Sequence, residues 1–295
     1  MESLGVALIT GSAQGIGRAI ALRLADDGFN ISLNDLPSTR AELDVLASEI
    51  ASKGRKSHIV TGDVSSESDV QKMIRSTVQT LGSLDVMVAN AGICIAKSIL
   101  STSTEEWDRI AAVNGRGTFL CYKYAAEQMI NQGHGGRIIG ASSISGKQGS
   151  PNLPAYGASK WAIRGLTQSA AREFGKYGIT VNAYAPGATE TNMTQVVGIA
   201  SAVNPGDPEQ FYKDVRGRTD VGRNGTPADV ASLVSYLASK EASFITGQSV
   251  RSTPARIVHL IYCITRSPSM GAVSTTRTSS YLPRLCTIYA MKRRI

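Results

Sequence analysis

The sequence has few residues of the kinds that build metal and disulfide sites. Its 295 residues include four cysteines and three histidines. No two cysteines stand in the C-x-x-C spacing of metal knuckles and redox pairs, and the histidines are scattered along the chain. We therefore expect a protein that holds no metal ion and keeps its thiols reduced, as cytoplasmic proteins do.

Long apolar runs are also lacking. No run reaches the ~18 residues that a membrane-spanning helix needs. A strand pattern begins at Val6, which leaves too little chain before it for a signal peptide. Both observations predict a cytoplasmic protein that does not associate with membranes.

Acidic residues are missing from the end of the chain. Residues 251–295 contain eight basic residues and no Asp or Glu, whereas residues 1–250 contain basic and acidic residues in equal number. The net charge of +8 therefore belongs to the last segment alone. A neutral body argues against a nucleic-acid-binding domain, which usually presents a basic face. We interpret the chain as a domain over residues 1–250 followed by an atypical, basic, Ser/Thr-rich tail over residues 251–295.

Within residues 1–250, patterns typical of strands and helices alternate. Such alternation predicts an α/β fold with a single doubly wound, Rossmann-type parallel sheet and helices on both faces. A less regular stretch over residues 190–225 has the length of a functional lid. The predicted strands cover residues 6–9, 30–33, 58–60, 86–89, 137–141 and 180–185, and the predicted helices cover residues 16–27, 40–53, 67–81, 104–132, 155–177 and 227–239.

A glycine-rich turn follows the first predicted strand and leads into a helix. Glycines at this spacing permit a tight turn, the approach of a pyrophosphate and close packing of helix on strand. The N terminus of the helix also attracts phosphate. Alone the turn is weak evidence, because a purely structural turn uses the same glycines. The cofactor-binding candidates in it are Gly11, Gln14, Gly15, Ile16 and Gly17.

Asp35 follows the second predicted strand. An acid at this place accepts a hydrogen bond from an adenosine ribose 2′-OH and repels a 2′-phosphate, which favours NAD over NADP. Arg18 and Arg40 lie close enough in sequence to leave NADP open. The alternative is that Asp35 only caps a helix.

Asp63 and Val64 follow the third predicted strand and are placed to meet the adenine of such a cofactor. The alternative is that Asp63 or Ser65 begins the next helix as its cap, which the spacing alone favours equally.

Polar and small residues also follow the later strands. Asn90, Ala91 and Gly92 end the fourth strand, and Ser143 follows the fifth. Tyr156 and Lys160 stand four residues apart, so they share one face of the next predicted helix. A nearby ammonium lowers the pKa of a tyrosine, which can then exchange a proton with a carbonyl or alcohol oxygen. A Tyr/Lys pair at this spacing is common in helices by itself. It indicates catalysis here because it follows a dinucleotide-binding turn.

Together these residues resemble the short-chain dehydrogenase/reductase family over residues 1–250, with further matches at Asn114, Pro186, Gly187 and Thr191. The resemblance implies an NAD(P)-dependent oxidoreductase that acts on CH–OH groups and assembles as a homodimer or homotetramer. It also implies that Pro186, Gly187, Thr189 and Thr191 surround the nicotinamide.

The resemblance implies a role for each catalytic candidate. Tyr156 would be the general acid/base, and Lys160 would lower its pKa and hold the nicotinamide ribose. Ser143 would orient the substrate oxygen. Asn114 would anchor a water that links Lys160 to solvent.

Within the family, residues 133–139, 165–172 and 234–239 resemble acetoin and diacetyl reductases, also described as butanediol dehydrogenases. This favours a small ketone or secondary alcohol as substrate. Ile144, Ser150 and Met193 are the candidate substrate contacts beside Ser143 and Tyr156. The alternatives are a 3-oxoacyl or sugar/polyol ketone reductase, a nucleotide-binding protein inactivated by its C terminus, and a basic-tail interaction protein.

The tail departs from the family. Members usually continue after residue 250 with a last strand and an Asp-Gly-Gly turn, whereas this chain reads Arg251-Ser252-Thr253-Pro254. We expect the last edge strand to be missing, unless residues 257–264 replace it, and oligomerisation to be weakened in consequence. The tail is either the product of a shifted reading frame or retained intron, or a basic arm for an acidic partner.

Overall fold

A computed structural model describes residues 3–195, 209, 212–213, 216–217 and 219–252. In this part of the chain, seven parallel strands form one sheet in the order β3-β2-β1-β4-β5-β6-β7. The strands are β1 Val6–Thr10, β2 Asn30–Asn34, β3 Ser57–Ile59, β4 Val86–Ala89, β5 Gly136–Ala141, β6 Ile179–Pro186 and β7 Ser249–Ser252.

Helices cover both faces of the sheet, which confirms the predicted doubly wound α/β fold. The sheet is covered on one side by a buried cluster that includes α1, α2 and α7, and on the other by a cluster that includes α3, α5 and α6. The helices are α1 Gly15–Asp27, α2 Arg40–Ser52, α3 Glu67–Leu81, α4 Thr104–Ile110, α5 Gly117–Gln132, α6 Pro154–Phe174 and α7 Pro227–Ala238.

The central strands are buried on both faces because helices cover each face. Every residue of β1, β4 and β6 is buried, as is typical of parallel sheets between helix layers. The strand order reverses between β1 and β4, because the chain winds outward to β3 and then crosses back. In open α/β sheets this reversal opens a crevice at the carboxyl ends of the strands.

The predicted strand bounds agree with the structure to within one residue for the first six strands. The predicted helix over residues 104–132 is interrupted, since Ala111–Arg116 form a π-helical turn between α4 and α5. Buried residues still recur every three or four positions through it, at Ile110, Val113, Asn114 and Gly117, and such turns are frequent at functional sites. The periodicity therefore could not distinguish it from a continuous helix.

The expectation that the last edge strand is missing is wrong. β7 pairs with β6 in parallel register, from Ala183 opposite Ser249 to Pro186 opposite Ser252. Backbone N–H and C=O groups make the pairing, so an unusual side chain such as Arg251 does not prevent it. The suggested replacement strand at residues 257–264 lies outside the described residues. The boundary at residue 250 and the weakened oligomerisation stay predictions.

No helix of the described residues is long and apolar enough to cross a membrane. Part of the predicted lid, residues 196–208 among others, lies outside the described residues. Where the lid is described, Thr189 forms a parallel bridge with Gly225.

Candidate active site

A cavity of about 250 Å³ opens at the carboxyl ends of the central strands. It brings together most of the residues singled out from the sequence: Gly11, Gln14, Gly15, Ile16, Gly17, Asp35, Asp63, Val64, Asn90, Ala91, Gly92, Tyr156, Lys160, Pro186, Thr191 and Met193. Six others do not line it: Asn114, Ser143, Ile144, Ser150, Gly187 and Thr189. Arg109 and Asn192 line the cavity although no sequence motif pointed to them.

The glycine-rich turn has a strict steric need for its glycines. Gly11 and Gly15 adopt positive φ angles of 64° and 56°, a region that favours glycine. A Cβ atom on Gly17 would lie 2.1 Å from the carbonyl oxygen of Gly11. In the described structure no side chain caps α1, which begins at Gly15. The free N–H groups of its first turn therefore suit a phosphate.

Asn90 holds this turn against β4. Its Nδ2 donates to the carbonyl oxygens of Thr10 (2.8 Å) and Gly11 (3.0 Å). Its Oδ1 accepts from the hydroxyl of Tyr184 at 2.7 Å. All three bonds fix the amide, so the side chain of Asn90 shapes the cavity wall.

Asp35 is fixed beside the turn. Its two carboxylate oxygens accept from the backbone N–H groups of Ala13 (3.0 Å) and Leu36 (2.8 Å). The alternative that Asp35 caps a helix is wrong. The cap position of the 3₁₀ turn Pro37–Thr39 is Leu36, and the cap position of α2 is Thr39. The carboxylate lines the cavity instead.

The two arginines that left NADP open are both paired with acids. Arg18 contacts Glu49 at 2.5 Å and Arg40 contacts Asp44 at 3.0 Å. Neither arginine lines the cavity.

Asp63 organises the loop after β3. One carboxylate oxygen accepts from the N–H (2.8 Å) and the hydroxyl (2.7 Å) of Ser65, and the other lies 3.4 Å from the guanidinium of Arg109. Burial raises the pKa of Asp63, but the bonds from Ser65 and the charge of Arg109 outweigh burial, so the net pKa is lowered. The cap alternative is wrong, since Ser66 caps α3 by accepting from Asp69 N–H.

Tyr156 and Lys160 lie in the first turns of α6, with the Lys160 ammonium 5.4 Å from the centre of the tyrosine ring. The hydroxyl of Ser143 lies beside the tyrosine hydroxyl, near enough to act on its pKa. The ammonium donates to the carbonyl oxygen of Ala141 at 2.8 Å. The pair therefore bridges the ends of β5 and α6 at the cavity.

The pKa values of the pair differ from the sequence-based expectation. Burial raises the pKa of Tyr156, and Cys94 adds to the rise, while the neighbouring hydroxyl of Ser143 acts in the opposite direction. Burial also lowers the pKa of Lys160 to about 8. The expectation of a lowered tyrosine pKa is wrong for the protein alone, because the loss of solvent dominates and raises it.

Ser143 caps a 3₁₀ turn over Ile144–Gly146, accepting from Ser145 N–H at 3.1 Å. The same hydroxyl meets Tyr156, so two hydroxyl groups converge at one point. Ile144 and Ser150, the predicted substrate contacts, lie in or after this turn and outside the cavity lining.

Asn114 is fully buried in the π-helical turn. Its Oδ1 accepts from Ile93 N–H at 2.8 Å, and its Nδ2 donates to the Ile93 carbonyl oxygen at 2.9 Å and to Ser159 Oγ at 3.0 Å. A Cβ on Gly92 would lie 3.1 Å from Asn114 Oδ1 and 3.3 Å from Lys160 Nζ. Asn114 Oδ1 and Lys160 Nζ therefore both lie against Gly92 in the loop after β4, where a larger residue would crowd them.

The segment after β6 crosses the cavity mouth towards the glycine-rich turn. The Nδ2 of Asn192 donates to Gln14 Oε1 at 2.9 Å. A Cβ atom on Gly15 would lie 3.5 Å from Thr191 Cγ2, so the threonine packs beside the glycine-rich turn. Asn192, Arg109 and Ser159 were missed because their roles depend on tertiary contacts, although the place of Ser159 between Tyr156 and Lys160 was a readable signal.

Nothing in the described residues groups three or more His, Cys, Asp or Glu side chains as a metal site would need. The chemistry that the arrangement allows is proton exchange at the paired hydroxyls of Ser143 and Tyr156, next to a groove built for a phosphate-bearing ligand.

Comparisons with known proteins agree with this arrangement. The sequence profile of a family described as enoyl-(acyl carrier protein) reductase matches residues 11–252. A short-chain dehydrogenase/reductase of Hericium erinaceus, eriH, is 51% identical over 259 residues, which cover 87% of this chain and 99% of that protein. An (S)-acetoin-forming diacetyl reductase of Staphylococcus epidermidis is 40% identical over 250 residues, covering 83% of this chain and 95% of that protein.

Among solved structures, that of levodione reductase superposes with a TM-score of 0.81 and 30% sequence identity, covering 86% of this chain and 98% of the other. Enzymes of this type generally use NAD or NADP and act on small molecules. The chain therefore belongs to the short-chain dehydrogenase/reductase family and is an oxidoreductase of secondary alcohols and ketones.

Proposed function

We propose that the protein transfers hydride between NAD(H) and a small ketone or secondary alcohol, with diacetyl and acetoin as the first candidates. The observation that carries the proposal is the meeting of the Ser143 and Tyr156 hydroxyls beside Lys160, across the cavity from the glycine-rich turn. The similarity to a diacetyl reductase supports the substrate class.

The cavity wall suits a dinucleotide. The free first turn of α1 would hold the pyrophosphate, and Gly11 and Gly17 leave the backbone open to it. Asp35 would accept from a ribose 2′-OH, and its charge would repel a 2′-phosphate. Asp63 and Val64 would meet the adenine, whereas Pro186 and Thr191 would meet the nicotinamide. These features favour NAD over NADP.

When bound, the nicotinamide supplies or accepts the hydride. The Ser143 and Tyr156 hydroxyls would hold the substrate oxygen between them. The raised pKa of Tyr156 keeps its hydroxyl protonated, which suits a proton donor in the reductive direction. Lys160, with a pKa of about 8, titrates close to neutral pH and would restore the proton. Ile144, Ser150 and Met193 are the proposed boundary of the substrate region.

We also propose a cytoplasmic homo-oligomer. The aromatic side chains of Trp107, Phe119 and Trp161, on α4, α5 and α6, are each nearly half exposed, and apolar surface of this kind favours association with a second copy.

The test of the cofactor and substrate is a rate panel with NADH and NADPH against diacetyl, a 3-oxoacyl thioester and a polyol ketone. We expect the highest kcat/KM for diacetyl with NADH. Faster reduction of the thioester or the polyol ketone would replace the proposed substrate class by that alternative.

Asp35→Asn tests the preference for NADH. The amide keeps one oxygen, for Ala13 N–H, but loses the acceptor of Leu36 N–H and the negative charge that opposes a 2′-phosphate. We expect the ratio of kcat/KM with NADH to kcat/KM with NADPH to fall about tenfold. Asp44→Asn is the matched control, because Asp44 lies on α2 away from the cavity and pairs with Arg40. Equal ratios in wild type and Asp35→Asn would contradict the assigned role.

A further inference from the structure

Ser159 lies between Tyr156 and Lys160 in α6 and takes no part in the chemistry described above. It is 6% exposed to solvent. Its Oγ donates to the carbonyl oxygen of Tyr156 at 2.7 Å and accepts from Asn114 Nδ2 at 3.0 Å. The Ser159 hydroxyl therefore donates its one hydrogen to Tyr156, in α6, and accepts a hydrogen bond from Asn114, in the π-helical turn.

On the Asn114 side, the bond that Nδ2 donates to Ser159 completes the polar contacts of a buried amide. Both Nδ2 hydrogens are used, one on Ser159 and one on the Ile93 carbonyl oxygen, and Oδ1 accepts from Ile93 N–H. A buried amide with all these bonds has one orientation. Removal of Ser159 Oγ would leave one donor of Asn114 unpaired.

On the α6 side, Ser159 acts within the first turns of the helix. In the described structure no side chain caps α6, which begins at Pro154. The bond from Ser159 Oγ to the Tyr156 carbonyl oxygen spans three residues and fixes the backbone from which the Tyr156 side chain projects. The loop at Ile93, the π-helical turn at Asn114 and the turn at Tyr156 are thereby joined in one chain of hydrogen bonds.

We propose that Ser159 is a positioning residue of this oxidoreductase: through Asn114 and the Tyr156 backbone it holds the Tyr156 hydroxyl and the Lys160 ammonium at their working separation. The inference rests on the proposed role of Tyr156 as proton donor. A misplacement of about 1 Å at reacting groups can cost about a hundredfold in rate, so the effect should fall on kcat.

The experiment uses the full chain with Ser159→Ala and Ser159→Thr, and Ser169→Ala as a control on an exposed position of the same helix. Steady-state rates with NADH and diacetyl, NADH titrations and melting curves are measured for each. We expect Ser159→Ala to lower kcat at least tenfold with the NADH Kd within twofold of wild type. Ser159→Thr, which keeps the hydroxyl, should recover most of kcat, and Ser169→Ala should match wild type.

The pH profile separates positioning from general stability. Lys160 faces Tyr156 and Cys94 as titratable neighbours, and burial sets its low pKa. Loosening the turn in Ser159→Ala admits water, which relieves the burial. The limb of the kcat profile near pH 8 should therefore move to higher pH in Ser159→Ala and stay in place in Ser159→Thr.

A double-mutant cycle supplies a second readout. If the bond between the two side chains carries the effect, Ser159→Ala should add little to the loss caused by Asn114→Ala. If Ser159→Ala does not fold, Ser159→Cys, a weaker hydrogen-bond donor, takes its place with the same expected direction.

The inference is overturned if Ser159→Ala keeps the kcat and pH profile of wild type, if its losses add fully to those of Asn114→Ala, or if NADH binding falls together with kcat. Tyr156→Phe is measured alongside. Full turnover in that variant would refute the proposed function, whereas its inactivity together with a normal Ser159→Ala would refute the role of Ser159 alone.

Discussion

Lys160 is almost completely buried, with 4% of its surface exposed to solvent. Its Nζ donates to the Ala141 carbonyl oxygen at 2.8 Å, and no ion pair of the described residues includes it. Burial lowers its pKa from 10.5 to about 8. The protonated lysine therefore destabilises the fold at neutral pH, as functional groups held in an unfavourable environment often do.

Lys160→Met should stabilise the protein without cofactor while abolishing turnover. The lowered pKa corresponds to about 3 kcal/mol, and loss of the bond to Ala141 offsets about 1 kcal/mol, so a net gain of about 2 kcal/mol is expected at pH 7. Because the folded-state pKa lies below the unfolded value, the penalty in wild type is complete below about pH 8 and disappears as the pH rises towards 10.5. Urea unfolding at several pH values measures this difference.

The control for this prediction is Lys72→Met, at an exposed position of α3, which should change the free energy of unfolding by less than about 0.5 kcal/mol. A Lys160→Met variant that is less stable than wild type at pH 7 would show that burial is not what depresses the pKa of Lys160.

At the residue scale, the sequence predicted which side chains meet and failed on their electrostatics. Tyr156 and Lys160 follow from their spacing on a helix. The direction of the Tyr156 pKa does not, because it depends on how much solvent the assembled fold removes. The side chain of Asn114 likewise bonds to Ile93 and Ser159, contacts that no spacing reveals.

At the scale of elements, the segment after β6 and the turn before α1 meet over the cavity. Asn192 Nδ2 donates to Gln14 Oε1 at 2.9 Å, and both residues line the cavity. This contact lies directly beside the turn that would hold a ligand phosphate.

Asn192→Ala should speed the release of NADH. A hydrogen bond of this kind contributes about 1 kcal/mol, which corresponds to about a fivefold increase in the dissociation rate. Stopped-flow fluorescence of bound NADH, displaced by excess NAD, measures this rate. Gln195→Ala, at an exposed neighbouring position, serves as the control.

Gln14→Ala should have the same effect as Asn192→Ala, and the double variant should be no faster than either single variant. Independent, additive increases would show that the two side chains act separately on the cofactor.

The sequence predicted strands and helices correctly where a local residue pattern marks them. Buried apolar runs mark β1, β4 and β6 in the sequence. The caps were not read correctly, since Ser66 and not Asp63 or Ser65 caps α3 by accepting from a backbone N–H group. The π-helical turn and β7 were not readable. The first preserves the hydrophobic period, and the second depends on backbone pairing with β6 in spite of its polar residues.

At the scale of the whole molecule, the strand order explains why distant residues share one cavity. The reversal between β1 and β4 places the loops after these strands side by side. The cofactor candidates at residues 11–17 line the same cavity as the catalytic candidates Tyr156 and Lys160. Alternation of strands and helices predicted this arrangement. The tail over residues 253–295 lies outside the described residues, and the family match ends at residue 252.

The central claim is that the full chain reduces a ketone with Tyr156 as the proton donor. The most direct measurement is a single turnover of bound NADH with diacetyl, followed by the loss of NADH fluorescence in wild type and Tyr156→Phe. Positioned proton donors contribute about 10²–10⁴-fold to rates, so the variant should be at least about a hundredfold slower while its NADH Kd stays within twofold. A variant that oxidises NADH within a few-fold of the wild-type rate would contradict the claim.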